Sequence, residues 1–218
     1  MRAALLPIAL AFAFAACGSP KPPIQHRIDM KTIAATPPDG RTEVGEAYKA
    51  LAMARAELAH VEYLLEDISY ELKLAKMERE QVESNRKMAE VREKRSRSAF
   101  KMALAKSAAK AMDSMKSNSQ KEKKHMEYLK AEQSYLKKKR SYALVAVDHA
   151  EARFELAKAN VVKDRNLSPK GFKHQKFVSQ EQRNKKRADS KRSAMQSAKQ
   201  KASSKHKAWG GQRYDTAQ

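Results

Sequence analysis

Among 218 residues there are one cysteine, one tryptophan, 6 glycines and 7 prolines, and aromatic side chains make up 6%. Each shortage excludes something. A single cysteine cannot form an intrachain disulfide, so no covalent staple supports the fold. Scarce glycine and proline leave few signals for turns, and all the prolines but Pro169 lie before residue 40. Nowhere do β-branched residues alternate with polar ones between turn signals, so there is no strand pattern. Alanine, lysine, glutamate, methionine and leucine are prominent instead, which is the composition of long helices.

Catalytic patterns are missing as well. The sequence has no paired-histidine zinc motif, no glycine-rich phosphate loop and no Gly-x-Ser-x-Gly elbow. Its histidines (His26, His60, His125, His149, His174 and His206) are scattered, without carboxylate partners at metal-ligand spacing, and read as solvated surface residues. Long helices also offer few concave pockets. These features predict a protein that is not an enzyme and that takes no cofactor or metal.

Acid is short too, with 25 Asp and Glu against 46 Lys and Arg. The imbalance is uneven. Residues 41–91 carry 8 basic and 11 acidic side chains, a balance of −3, whereas residues 92–218 carry 34 and 12, a balance of +22. The acidic half cannot neutralise the basic one, so the surplus predicts an anionic partner or free counterions. Two clusters, Lys137-Lys138-Lys139-Arg140 and Lys185-Lys186-Arg187, are the candidate anionic-surface contacts. Lysines near an anionic surface add about 1 kcal/mol each. Tyr128, Tyr135 and Tyr142 repeat every seven residues beside the first cluster and read as rings flanking a helical seam.

The N-terminus supplies what the rest lacks. Arg2 precedes an apolar stretch that closes as Phe14-Ala15-Ala16-Cys17-Gly18. A positive charge, about a dozen apolar residues and small residues at the end predict a secretory signal peptide. The stretch is shorter than the roughly 20 residues that a spanning helix needs. Ala15, Ala16 and Cys17 resemble the lipobox of bacterial lipoproteins, with Phe14 where leucine is commonest. That resemblance implies cleavage before Cys17 and acyl chains on its thiol and amine. Gly18 replaces the aspartate that retains some lipoproteins in the inner membrane, which implies the outer membrane, facing the periplasm. The alternative is an ordinary secretory signal that leaves Cys17 as a free thiol.

Along the chain, residues 1–16 read as the signal peptide and 17–40 as a lipidated cysteine with a proline-rich tether. Residues 41–208 read as a helical coiled-coil domain and 209–218 as a disordered tail. A first helix opens with Thr42 as N-cap. Its seam (Val44, Ala47, Leu51, Ala54, Leu58, Val61, Leu65, Ile68, Leu72, Ala75) steps by three and four, the coiled-coil signature. The seam weakens at Arg79, and Phe100 and Ala103 read as restoring it, with the helix running to about Met115 or breaking near 84–98. A second stripe on the same helix, Met53, Ala56, Tyr63, Tyr70, Leu74 and Met77, predicts contact with a further neighbour. Turns are expected at 117–120 and at 166–171, where Asn166, Pro169 and Gly171 coincide. A second helix then covers about 121–164, with Gln133 and Arg140 interrupting its seam, and a third covers about 175–207.

The fold class expected is all-α: a long antiparallel coiled-coil hairpin of two to three helices after a disordered tether. Residues 150–198, including ARFELAKANVVKDRNLSPKGF, resemble in composition the helical hairpins of periplasmic efflux adaptors and of envelope lipoproteins. An adaptor would also carry a β-rich lipoyl-like domain, for which this chain has no strands, so the resemblance implies a helical envelope lipoprotein instead. The expected function is that of a non-enzymatic outer-membrane lipoprotein. It would act as a periplasmic helical spacer and interaction module, with its basic half turned to peptidoglycan, an anionic lipid or an acidic envelope protein. One alternative is an accessory of an envelope transport or efflux assembly, docking through a tip near Asn166–Gly171. Another is a nucleic-acid-binding coiled coil, if the N-terminus is not an export signal; with export, no nucleic acid is expected. A homo-oligomer is left open.

Overall fold

The computed structural model describes residues 23–211, apart from Ser168, Lys170 and the Asp39 side chain. The signal-peptide and Cys17 readings therefore lie outside the described residues. Helices account for nearly all of this part, and no strand occurs among the described residues. A short helix α1 (Met30–Ala34) and a 3-10 turn (Pro38–Arg41) precede three long helices: α2 (Thr42–Ser98), α3 (Met102–Asp164) and α4 (His174–Trp209). At 1.5 Å per residue the long helices measure about 85, 95 and 54 Å. None is apolar enough over sufficient length to cross a membrane.

Successive helices run antiparallel, and α3 lies in the middle, packed against both α2 and α4. The α2 seam is buried as its spacing predicts, from Val44 through Leu51, Val61 and Ile68 to Ala75. Polar interruptions in the α3 seam find polar partners on α2: Gln133 donates to Ser69 Oγ at 3.1 Å, and Arg140 donates to Glu62 at 2.8 Å. A second α3 face, with Tyr135, Val145, Ala152, Ala159 and Val162 buried, receives α4. Its alanines let the two backbones approach closely.

Four sequence expectations are corrected first. Residues 117–120 lie within α3; the turn between α2 and α3 is at Ala99–Lys101, next to the weakened stretch 84–98. Ser117, Asn118 and Ser119 are modest helix formers, but Gln120 is a good one and the run includes no Gly or Pro, so the helix on either side carries it through. Phe100 and Ala103 do not restore the seam: both are exposed. Thr42 is the first residue of α2 and not its cap, because the chain enters from the 3-10 turn. The region 17–40 is not a free tether throughout, since Ile28, Ile33 and Thr36 are buried against the bundle.

The turn at 166–171 and the third helix stand as expected. Trp209 closes α4, whereas the sequence assigned it to the tail.

The α2–α3 turn has a Schellman geometry built on an unusual residue. Phe100 N–H donates to Arg97 O and Lys101 N–H to Ser96 O, at 3.1 and 3.0 Å, while Phe100 takes φ 53°. Asn166 (φ 53°) holds the corresponding place after α3, and Gly210 (φ 74°) caps α4 with a single bond to His206 O. Asn and Gly suit that conformation, but a bulky residue there costs about 1 kcal/mol. Phe100→Gly is accordingly expected to leave stability unchanged or raise it by up to about 1 kcal/mol in urea unfolding.

Two hydrophobic clusters hold the rod. One, at the head, joins Ile28 and Ile33 to Val44, Ala47, Val162 and Phe177. The other, midway, joins Ile68 and Leu72 of α2 to Leu129 and Leu136 of α3 and Ala202 of α4. Trp209 stacks on His125 and Tyr128 of α3, with ring centroids 4.4 and 5.4 Å away. Beyond that level, among the described residues, residues 102–124 of α3 pair only with the end of α2, as an arm of about 35 Å. Ala89 and Ala105 are its buried seam residues.

Candidate functional site

The head of the rod holds residues 23–28 in an extended groove across α3 and α4, chiefly through their backbone atoms. Gln180 Oε1 accepts from Gln25 N–H at 2.7 Å and His26 N–H at 3.0 Å, while its Nε2 donates back to His26 O. Asn184 Nδ2 donates to Pro23 O at 2.9 Å, and Arg183 donates to the same oxygen. Ile28 is gripped on both sides: its N–H donates to Glu155 Oε2 at 2.8 Å, and its carbonyl accepts from Lys158 Nζ at 2.7 Å. Lys158 and Glu155 also pair with each other at 2.7 Å, each side chain only 4% exposed. Arg27 adds an ion pair with Glu151 at the rim.

This clamp solves a physical problem. An extended segment pressed against helices has no neighbouring strand, so its amides and carbonyls need side-chain partners once water is excluded. Sequence reading passed over these residues, although a signal was present. Gln180 and Asn184 continue the α4 stripe between Phe177 and Ala188 at helical spacing, and polar residues in an apolar stripe call for a buried partner.

The candidate basic contacts are divided by the structure. Lys139 pairs with Glu57 and Arg140 with Glu62, both across to α2. Arg187 donates to Asn184 Oδ1 at 2.9 Å and lies 3.4 Å from Asp148. Those three side chains tie helices together. Lys137, Lys138, Lys185 and Lys186 are exposed. They form two separate pairs: Lys185 and Lys186 lie near the level of Asp148 on α3, about 16 Å along the axis from Lys137 and Lys138. Of the repeated tyrosines, Tyr135 is buried toward α4 and Tyr128 stacks on Trp209.

A groove of about 470 Å³ lies over α3 between α2 and the end of α4, with Asp67, Glu71 and Glu78 on one wall and His125 and Trp209 on the other. Loss of solvent pushes the Glu71 carboxyl above its ordinary range, helped by Asp67 and Glu132 and opposed by His125. A carboxyl raised in the folded state costs stability above its unfolded pKa of about 4.3. Glu71→Gln is expected to raise the melting temperature at neutral pH, with the gain vanishing below about pH 4. Glu71 remains largely exposed, so screening limits the effect to about 0.3 kcal/mol. Among the described residues no group of three His, Cys, Asp or Glu is arranged to hold a metal ion.

Compared with known proteins, the chain matches no family profile, no curated sequence and no solved structure.

Proposed function

We propose that this protein is a non-enzymatic outer-membrane lipoprotein, a rigid periplasmic spacer held by its head and presenting basic surface to an anionic envelope partner. The observation that carries the reading is the clamp on residues 23–28. Only residues 18–22 separate Cys17 from Pro23, a reach of at most about 20 Å. Acyl chains on Cys17 would therefore hold the rod by one end, close to the membrane, and several chains anchor firmly where one would be marginal. The exposed pairs Lys137–Lys138 and Lys185–Lys186 then face outward for peptidoglycan, an anionic lipid or an acidic protein. The α2 stripe of Met53, Tyr63, Tyr70 and Met77 stays exposed, which supports a lateral partner such as a second copy.

Docking through the turn near 166–171 gains no support. That turn sits at the clamped end, and Phe172 packs against the head cluster. The decisive test is the intact mass of the protein recovered from its native membrane. A chain beginning at Cys17 with several acyl chains is the expected result. An unmodified chain retaining Met1 would overturn the reading and return the basic segments to nucleic-acid binding.

A further inference from the structure

The far end of the rod carries a feature that the fold itself does not use. Phe100 is 90% exposed at the tip of the α2–α3 hairpin, and Met102 and Leu104 beside it are 75% and 56% exposed. The chain accepts a left-handed conformation at a phenylalanine and gains no packing from the ring. Around this apolar point, residues 92–106 hold six basic side chains (Arg92, Lys94, Arg95, Arg97, Lys101, Lys106) and one acid, Glu93. Arg97 pairs with Glu93 at 2.6 Å and Lys94 with Glu90 at 2.9 Å, while Arg92, Arg95, Lys101 and Lys106 are exposed.

We infer that this tip is a membrane-contact site for an anionic lipid surface, with Phe100 and Met102 entering the headgroup boundary and the surrounding cations binding lipid phosphates. The shape favours lipid over a protein pocket. The tip is convex, with one aromatic ring at its apex and positive charge distributed around it. A fluid anionic surface can meet such a shape without a preformed cavity. The tip lies about 85 Å from the start of α2, at the opposite end of the rod from the clamp. A rod anchored at its head would thus reach a second surface. This deepens the spacer reading by naming the partner and the contact, but it does not depend on acylation of Cys17.

The test uses the full chain with Cys17→Ser and Ala103→Cys, labelled at position 103 with an environment-sensitive fluorophore. Phosphatidylglycerol-rich vesicles are expected to raise emission about threefold or more, and pure phosphatidylcholine vesicles to leave it unchanged. Phe100→Asn, which suits the turn, should abolish the rise while helicity stays intact. Arg95→Glu with Lys101→Glu should weaken vesicle binding at the tip about a hundredfold, and added salt should act in the same direction. Co-sedimentation with the vesicles separates the two readings. A chain that sediments while the fluorophore stays in water overturns the tip contact and keeps a basic face elsewhere on the rod. A chain that does not sediment overturns the tip contact and removes anionic lipid from the proposed partners. Emission that responds to a soluble acidic polypeptide, and not to vesicles, overturns lipid in favour of an acidic protein.

Discussion

Lys158→Met is expected to lower the unfolding free energy by about 3–5 kcal/mol, the largest loss for any single substitution at the head. The reason is the company Lys158 keeps. It neutralises Glu155 in a site from which water is excluded, and it binds the Ile28 carbonyl at the same time. Removing it leaves a buried carboxylate without a counter-charge and a backbone oxygen without a donor. A neutral pair tolerates the site better, so Glu155→Gln combined with Lys158→Met should lose less than Lys158→Met alone. Urea unfolding followed by circular dichroism measures the energies, and hydrogen exchange at the Ile28 amide reports release of the segment. A single variant within about 0.5 kcal/mol of the wild type would show that the clamp does not hold the head.

Leu129→Ala is expected to cost about 3 kcal/mol by the same unfolding measurement. Leu129 is fully buried where α2, α3 and α4 meet, so three helices border the cavity left by the change. Leu104→Ala, on the exposed arm, removes an identical side chain and should cost no more than about 0.5 kcal/mol. The contrast checks the three-helix packing itself. In a plain two-helix hairpin with α4 free, Leu129 would be only half covered, and the two costs would lie closer together.

Several features were legible because they depend on local periodicity. The α2 seam from Val44 to Ala75 announces its own partner-facing side, and Asn166 with Gly171 marks a turn that no helix continues through. The turn at Phe100 was not legible. Its Schellman bonds are ordinary, but the residue in the left-handed place is the wrong chemical type for a turn signal. The polar run at 117–120 looked like the better turn for the same reason, since residue type and not backbone geometry was all that could be read. The candidate cations were only partly legible: Lys139, Arg140 and Arg187 look like their neighbours until the helices that carry their acidic partners are in place.

By itself, the sequence determined an all-helical chain, the buried face of α2, the stop after Asp164 and the excess of positive charge beyond residue 92. These follow from composition and from spacing within one helix, which need no knowledge of distant segments. Only the tertiary structure decided that α3 is the central helix, that residues 23–28 are bound to it and α4, and that the free end of the rod is Phe100. Each of those depends on contacts between residues far apart in the chain, such as Gln180 with His26 or Glu155 with Ile28. Such pairings are set by the simultaneous burial of several faces, and no local pattern encodes them.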